Sequence, residues 1–283
     1  MNVGKVRKDN MDIQVEYAVI GGSGTLSSNF PLGANDPGVI LLDDDLQFAT
    51  PYGLSPVFRL FSVDGKQVLT CKMHGWRSGV SRADASRQIF WVFREAGVKR
   101  IISEGGVGTA NHLLDPRDFV IPNDYLDFSM RKDVELDGRY LLVMRDSLCS
   151  EVRSTLVEKT REHYKGRIFT RGIYANTDGR HFESPAEVAM MKGHADIIGQ
   201  SICPEVYLAR EIGACFAGLY FVVNYGEGLV AQWSHEELKD IFYDDAPLIS
   251  RIIIDAIRHL PVESQCECRE LRKETLLKGI YNK

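Results

Sequence analysis

The sequence predicts an α/β fold, with one three-layer domain in which a central mixed β-sheet is flanked by helices on both faces. Apolar runs of strand length alternate with amphipathic helical patterns along most of the chain, which is typical of sheets covered by helices. Glycine-rich turns directly follow two of the apolar runs. The 283 residues contain no internal repeat or linker-like segment, so a single large core is expected.

The elements follow from periodicity and from their boundary residues. Short apolar runs bounded by glycine, proline or polar residues predict strands, and a spacing of three to four residues between apolar positions predicts helices. The segments that predict strands are EYAVIGG, VFRLFSV, KQVLTCKM, VKRIISEGG, DFVIPNDYLDF, GRIFTRGIYANTDG, ADIIGQS and ACFAGLYFVVN. The segments that predict helices are ADASRQIFWVFREAG, LCSEVRSTLVEKTREHY, SPAEVAMMKGHA, CPEVYLAREIG and a long closing helix from about Ser234 to Leu260.

Charge and hydropathy exclude several classes of partner. The 34 basic and 39 acidic residues give a net charge of -5, so nothing indicates binding to nucleic acid or to an anionic membrane surface. No run approaches the roughly 20 apolar residues of a membrane helix, and the first residues do not resemble a signal peptide. We therefore expect a cytoplasmic protein whose anionic ligands bind at a local site.

Three segments are distinguished along the chain. Residues 1–12 are expected to form an N-terminal extension, residues 13–260 the α/β domain, and residues 261–283 a C-terminal tail. In an α/β domain, ligand sites gather at strand ends and in the turns that follow them.

Six cysteines in a chain of this length do not indicate a secreted disulfide scaffold. Four of them lie in or near apolar runs and are expected to be buried thiols, namely Cys71, Cys149, Cys203 and Cys215. Cys266 and Cys268 lie in the polar tail, where free thiols, a disulfide or a metal site all stay open. Because no partner lies at the usual ligand spacing, no metal is predicted.

Two glycine-rich strand ends are candidate anion sites. In VIGGSGTL, at 19–26, the glycines allow backbone N–H groups to approach an anion, and the Ser23 hydroxyl adds a donor. In ISEGGVGTA, at 102–110, the glycines could bring backbone against a sugar or an anion. Both stretches are equally compatible with ordinary turns, and neither has the spacing of a nucleotide-binding fingerprint.

Two polar residues further along are candidates for recognition of a base. Glu183 comes just before a predicted helix, where it could cap the helix or bind a ligand. Asn224 ends a largely apolar strand, where a buried amide needs a partner. Because an amide both donates and accepts, it suits the edge of a 6-oxopurine.

In this order the segments resemble the trimeric and hexameric purine nucleoside phosphorylases and methylthioadenosine phosphorylases. The resemblance runs from about Ala18 to Leu260 and is carried by IGGSG, by HG after a strand, by EGGVGTANHLLDPRDFVIPNDYLDF, by DGRHFESPAE, by HADIIGQSICPEVYLARE and by VVN. It implies a nucleoside phosphorylase-like fold, a homotrimer or homohexamer, and a purine nucleoside and phosphate as substrates, without a metal or an organic cofactor.

The resemblance also implies roles for individual residues. It makes Asn224, Glu183 and His74 catalytic, with the first two holding a 6-oxopurine and His74 lying at the phosphate. The substrate-binding positions that it implies are Ser23, Gly105, Gly106, Phe182, Gly199, Gln200 and Ser201. An aspartate would stand at position 224 in the adenine-specific branch, so hypoxanthine or guanine nucleosides are expected.

The sequence departs from the family pattern on the phosphate side. Met73 replaces an arginine that precedes His74, and methionine supplies neither charge nor directed hydrogen bonds. Gln200 replaces a methionine that packs on ribose, Ser78 replaces a second histidine, and Glu104 adds negative charge near the anion site. Arg77 is the first candidate for a substitute cation, with Arg82 and Arg87 as others; the opposing interpretation places all three on the solvated surface.

Phosphorolysis of a 6-oxopurine nucleoside, or of its 5′-methylthio analogue, is therefore the expected activity. Two alternatives stay open because the phosphate side is altered. Water could replace phosphate, which would make the protein a nucleoside hydrolase. Alternatively, the chain could bind purines without turnover.

Overall fold

The computed structural model describes residues 13–276 and the backbone of Val6–Arg7. Fifteen strands are assigned in these parts of the chain. They are β1 Val6–Arg7, β2 Tyr17–Ile20, β3 Val39–Thr50, β4 Gly53–Leu54, β5 Phe58–Val63, β6 Lys66–Cys71, β7 Arg100–Thr109, β8 Phe119–Val120, β9 Asp124–Asp127, β10 Tyr140–Leu142, β11 Ile168–Phe169, β12 Ile173–Asn176, β13 Ile197–Gly199, β14 Cys215–Tyr225 and β15 Arg272–Glu274.

Six α-helices separate these strands in the described part of the chain. They are α1 Ser23–Leu26, α2 Arg82–Glu95, α3 Ser150–His163, α4 Pro185–Met191, α5 Ile202–Ile212 and α6 His235–His259. Single 3-10 turns lie at Leu32–Ala34 and Met73–Gly75. No helix within residues 13–276 is both long and apolar enough to cross a membrane.

One large mixed sheet forms the centre of the domain. Its main path runs β1-β3-β5-β6-β2-β7-β13-β12-β9, and β14 pairs with β7 in parallel along nearly the whole length of both strands. The neighbours β6, β2, β7 and β14 are parallel, whereas β13 joins β7 antiparallel. The predicted three-layer α/β fold with a mixed sheet is confirmed.

Apolar side chains fill both faces of the sheet. On one face, Ile89 and Phe93 of α2 pack with α5 against the sheet, and Phe93 meets Phe58 edge to face with ring centroids 6.0 Å apart. On the other face, Ile249 and Ile253 of α6 pack with α3. The central strand β14 is covered on both sides, which explains its nearly continuous apolar sequence.

Most of the predicted elements are present, and three differences have physical causes. The run at 118–128 is divided into β8 and β9, and the run at 166–179 into β11 and β12, because each run turns and pairs with different neighbours. The long strand β3 was not predicted, since its three consecutive aspartates, Asp43 to Asp45, hide the strand pattern. Its residues alternate in exposure over most of their length, as in a strand with one solvated face.

The C-terminal segment lies against the domain as far as it is described. Strand β15 pairs antiparallel with β10, and Cys268 and Leu271 are buried. No partner for Cys266 and Cys268 lies at the usual ligand spacing in the sequence, but chain folding brings distant thiols beside them. The Cys266 sulfur lies 3.3 Å from that of Cys215 and 3.7 Å from that of Cys149. Most of the predicted extension 1–12, and residues 277–283 of the tail, lie outside the described residues.

Candidate active site

A cavity of about 220 Å³ opens beside the second half of β7, where the carboxyl ends of its two neighbours β13 and β14 approach it. Ten of the eleven predicted site residues line it: Ser23, His74, Gly105, Gly106, Phe182, Glu183, Gly199, Gln200, Ser201 and Asn224. Met73, Trp76, Glu227, Leu238 and Phe242 also line this cavity, and no pattern in the sequence pointed to the last four. The pairing of β7 with both β13 and β14 brings these distant segments together.

One end of the cavity, the base side, carries Asn224 and Glu183. Asn224 is 3% exposed, and its Nδ2 donates to the Tyr225 carbonyl at 2.9 Å. Its Oδ1 is buried and has no hydrogen-bond partner among the residues that the structure describes. Because an unpaired buried acceptor costs about 1–3 kcal/mol, this oxygen is poised to accept a hydrogen bond from a ligand.

Glu183 belongs to the cavity and not to the cap of α4. Ser184 caps that helix by accepting from the Glu187 amide, and the Glu187 side chain reaches back to Ser184 in a capping box. Glu183 is left free for another role, and its Oε1 accepts a hydrogen bond of 2.6 Å from the Thr177 hydroxyl. The carboxylate therefore lines the cavity with its position fixed by one neighbour.

The opposite end, the anion side, contains the glycine turn after β2. Its backbone donors already have a partner, because the carboxylate of Glu104 accepts from the amides of Gly22, Gly24 and Thr25. The Thr25 hydroxyl donates to the same carboxylate at 2.8 Å. Glu104 is fully buried, so an anion belonging to the protein itself occupies the N–H groups of the turn.

The parallel register of two strands explains this contact. Ile20 of β2 lies opposite Ser103 of β7, so the residue after Ser103 reaches the turn that follows Ile20. A side chain at Gly22 would place its Cβ 2.2 Å from the Glu104 carbonyl oxygen and 2.8 Å from His74 Nε2. Only glycine therefore fits at this position between the two strands.

His74 lies close to two acidic side chains, those of Glu104 and Glu205. It is 3% exposed, and its Nδ1 lies 2.7 Å from Oε1 of Glu205. Burial opposes the imidazolium charge, but Glu205, through its charge and hydrogen bond, and Glu104, through its charge, raise the pKa of His74 above 6.5. Burial raises the pKa of Glu104 even though its donors and His74 act in the opposite direction.

The turn that presents His74 is strained. Met73 and His74 have positive φ values of 49° and 53°, and Gly75 follows at 68°. Non-glycine residues adopt this region at a cost, and such residues often occur at functional sites. This conformation of the turn places Met73 and His74 side by side in the wall of the cavity.

The structure corrects the prediction that Arg77 supplies the missing cation. Its guanidinium donates to the carbonyl of Gly75 at 2.8 Å, to Gln88 Oε1 at 2.6 Å and to the carbonyl of Leu54. Arg77 does not line the cavity. Within residues 13–276, no lysine or arginine does, so His74 is the one lining residue there that can carry a positive charge.

Of the other two candidate arginines, Arg82 comes nearer to the cavity. Its guanidinium lies 3.8 Å from the centre of the Trp76 ring, and its Nη1 donates to Gln200 Oε1 at 3.2 Å. Arg87 instead bonds to Asp84 and to the carbonyls of Asp133 and Glu135. Arg82 therefore holds two lining side chains, Trp76 and Gln200, from behind.

The mouth of the cavity is aromatic. Phe182 packs on Trp233 with ring centroids 4.6 Å apart, and the Trp233 indole N–H donates to Glu227 at 3.1 Å. Phe242 of α6 reaches the backbone of Gly106 so closely that a Cβ there would lie 2.6 Å from its ring. His235, at the start of α6, is exposed and does not line the cavity.

Known proteins are similar to this chain in sequence. The sequence profile of the phosphorylase superfamily matches residues 16–258. A probable 6-oxopurine nucleoside phosphorylase of Moorella thermoacetica is 30% identical over 262 residues, which cover 90% of this chain and 96% of the relative. An S-methyl-5′-thioadenosine phosphorylase of Pyrococcus horikoshii is 27% identical over 91% of this chain and 98% of its own.

Solved structures show the same fold. A methylthioadenosine phosphorylase from an antarctic soil metagenomic library superposes with a TM-score of 0.80 at 23% identity, over 91% of each chain. A mutant adenosine/methylthioadenosine phosphorylase from Schistosoma mansoni, in complex with adenine, superposes with a TM-score of 0.75 at 20% identity, over 91% of this chain and 96% of its own. With the profile match over most of its length and relatives at 30% identity, this chain belongs to the phosphorylase superfamily.

Proposed function

We propose that this protein cleaves the N-glycosidic bond of a 6-oxopurine nucleoside, or of its 5′-methylthio analogue, and transfers the sugar to inorganic phosphate. The observation that carries the proposal is the buried, unpaired Oδ1 of Asn224 in the same cavity as the Glu183 carboxylate. The names of the curated relatives, which include 6-oxopurine and S-methyl-5′-thioinosine phosphorylases, support the same chemistry.

The base side suits a departing purine that carries an oxygen at C6. The Glu183 carboxylate accepts from N1–H, and the free Nδ2 hydrogen of Asn224 donates to O6. As the C1′–N9 bond breaks, its electron pair passes to the purine ring, which takes a proton at N7. This proton is the one that the attacking hydrogen phosphate gives up, passed through solvent. The N7–H group then donates to Oδ1 of Asn224, so the amide binds the leaving group more strongly than the intact nucleoside.

The sugar half of the reaction lies toward Ser23 and His74. A phosphate oxygen attacks C1′ as the bond to N9 breaks, which gives the free base and a sugar 1-phosphate. The Ser23 hydroxyl already accepts from the Gly106 amide at 2.9 Å, so its own hydrogen is free to donate to phosphate or ribose. The raised pKa of His74 favours the imidazolium, which attracts an anion.

Hydrolysis is the second candidate, and the position of Glu104 favours it. A carboxylate on the amides of the glycine turn competes with phosphate for these donors and repels it. In this alternative water attacks C1′, the proton that it loses passes through solvent to N7 of the departing purine, and the products are free base and free sugar. The base side of the cavity serves both reactions equally.

Product analysis separates the two candidates. Purified protein is incubated with inosine, guanosine, adenosine and their 5′-methylthio analogues, with and without phosphate. We expect phosphate-dependent release of the base with a sugar 1-phosphate, and at least about a 100-fold preference for 6-oxo over 6-amino substrates. Base release with free sugar in the absence of phosphate selects hydrolysis. Tight purine binding with no turnover under either condition would leave a binding protein and defeat both.

We also propose the finer features that the resemblance implies. These are a cytoplasmic location, a homotrimer or homohexamer, inorganic phosphate as co-substrate without a cofactor, and a catalytic domain spanning residues 13–260. Light scattering on the purified protein measures the assembly directly, and a monomer would contradict that part of the proposal.

A further inference from the structure

Four cysteines from three distant parts of the chain form a cluster on the side of the domain where α3, β14 and the C-terminal segment meet. Their sulfur atoms all lie within 4.8 Å of one another, and three of the side chains are buried while Cys266 is half-buried. This four-cysteine cluster consists of Cys149, Cys215, Cys266 and Cys268. None of its members lines the purine cavity.

The backbone fixes two of the ligand positions. Cys149 comes immediately before α3, and its amide donates to the Phe216 carbonyl at 2.8 Å. Cys215 opens β14, and its amide donates to the Lys99 carbonyl at 2.9 Å. Both sulfurs therefore project from regular structure, and the C-terminal segment supplies the other two.

The spacing of the sulfurs matches a tetrahedral metal site. Zinc binds thiolate sulfur at about 2.3 Å, so the sulfurs of a tetrahedral site with four thiolate ligands lie about 3.8 Å apart. Here Cys266 lies 3.7 Å from Cys149 and 3.3 Å from Cys215. A disulfide would instead select one of these neighbours and bring it to about 2.05 Å. One ion satisfies all four thiolates, whereas disulfides must divide them into pairs.

The surroundings supply the charge and order that such a site needs. Four thiolates around a divalent ion carry a net charge of about -2. Arg100, which is 1% exposed, donates from Nη1 to the Cys215 sulfur at 3.0 Å and so offsets part of this charge. The same guanidinium donates to the carbonyls of Pro261 at 3.0 Å and Glu263 at 2.7 Å. Arg100 thus orders the chain that leads to Cys266 and Cys268.

A second buried arginine orders the far side. Arg210 is 2% exposed, and its guanidinium donates to the Cys268 carbonyl at 3.2 Å and to the Asp146 carbonyl at 2.8 Å. Two guanidinium groups therefore hold the segment that carries the CEC motif, one on each side of the cluster. Of the four thiols, only that of Cys215 accepts a hydrogen bond from them in the described part of the chain.

We propose that the four-cysteine cluster binds one zinc ion in a closed structural site that fastens the C-terminal segment to α3 and β14. Four protein sulfurs leave no open coordination position for water, so the site serves folding and not catalysis. The sulfurs all lie within 4.8 Å of one another, which is the spacing around a single ion. They lie too close together to surround the several atoms of an iron–sulfur cluster. The CEC spacing is shorter than the usual pair of ligands, which is why the sequence did not predict the site.

Metal analysis of the full chain tests this proposal without any substrate, so its outcome is independent of the proposed activity. The protein is purified with a thiol reductant and no chelator, then titrated with zinc and desalted. We expect about one zinc per chain in the wild type and in the control Cys71→Ser, and less than about 0.1 in Cys266→Ser/Cys268→Ser. Cys71 is also buried, but it lies outside the cluster.

X-ray absorption at the zinc edge supplies the second measurement. We expect four sulfur neighbours at about 2.3 Å in the wild type. A wild-type protein that retains no zinc after titration overturns the proposal. So does an intact mass, measured without reductant, that shows the four cysteines paired in disulfides, or a metal bound by nitrogen or oxygen ligands.

Discussion

The two ends of the purine cavity differ in what the protein does with its own polar groups. On the base side, Asn224 keeps a buried oxygen without a partner. On the anion side, the amides of Gly22, Gly24 and Thr25 are satisfied by the Glu104 carboxylate. On the base side, a ligand that donates a hydrogen bond would satisfy the unpaired oxygen of Asn224. On the anion side, an incoming anion must first displace the carboxylate of Glu104 from the amides.

This difference separates the two halves of a glycosyl transfer. In the proposed reaction, recognition of the leaving base depends on Asn224 and Glu183. Recognition of the attacking group depends on the turn, on Ser23 and on His74. Because different residues serve the two halves, substitutions in one should leave the other measurable, and each of the following changes addresses one end.

The largest effect is expected on the base side. Asn224→Ala removes the amide that binds the departing purine, and we expect kcat/KM for inosine to fall by about 100- to 1000-fold, or roughly 3–4 kcal/mol. Steady-state kinetics measures this loss. The matched control is Asn111→Ala, since Asn111 bonds to Asp196 at 2.9 Å and does not line the cavity. Equal losses in both variants, or no loss in Asn224→Ala, would remove the amide from base recognition.

An intermediate effect is expected on the anion side. Glu104→Ala leaves the donors of the glycine turn unpaired, so the free energy of unfolding should fall by about 3 kcal/mol in phosphate-free buffer. Phosphate should then take the place of the carboxylate. We expect added phosphate to raise the Tm of the variant. We also expect the KM of the variant for phosphate to be at least about tenfold lower than that of the wild type.

Glu211→Ala is the matched control for this change. Glu211 is also a buried carboxylate that accepts from backbone amides, those of Leu136 and Asp137, but it is remote from the cavity. Phosphate should not rescue its stability. If phosphate stabilises the wild type as strongly as Glu104→Ala, then Glu104 does not compete for the turn.

The sequence predicted the strands and the polar residues of each end of the cavity better than it predicted the contacts between them. The apolar runs of β2 and β14 were strong signals because both strands are buried. The negative charge of Glu104 near the anion site was also predicted. That its carboxylate fills the turn depends on the parallel register of β2 and β7, which joins residues about 80 positions apart and has no local signature.

Two other features show the same limit. From the local sequence, capping α4 was the favoured role of Glu183, and only the Ser184 capping box assigns that role elsewhere. The four-cysteine cluster joins distant positions, with Cys149 and Cys266 separated by 117 positions, so spacing rules based on neighbouring ligands could not find it. Local patterns thus identify elements and polar strand ends, while the contacts between ends depend on the topology of the sheet.

The smallest expected effect concerns pH. Since the pKa of His74 is raised from its ordinary value, the imidazolium persists to higher pH than that of a free histidine, and its contribution to stability and to anion binding is lost as pH rises through that raised pKa. We therefore expect kcat/KM to fall on the alkaline side. In Glu205→Gln the charge that raises the pKa is gone, so the midpoint should move to lower pH. The loss of activity relative to the wild type should then be several-fold greater on the alkaline side of the shifted midpoint than on its acidic side.

A pH profile of kcat/KM for both proteins measures this shift, and Glu211→Gln provides a carboxylate control that should keep the wild-type midpoint. Glu205 positions and charges the imidazole without lining the cavity, so a merely structural role would lower activity by the same factor at every pH. A parallel drop would therefore contradict the electrostatic coupling. A shifted midpoint would tie the anion side to the charge of His74, the one possible cation among the described residues that line the cavity.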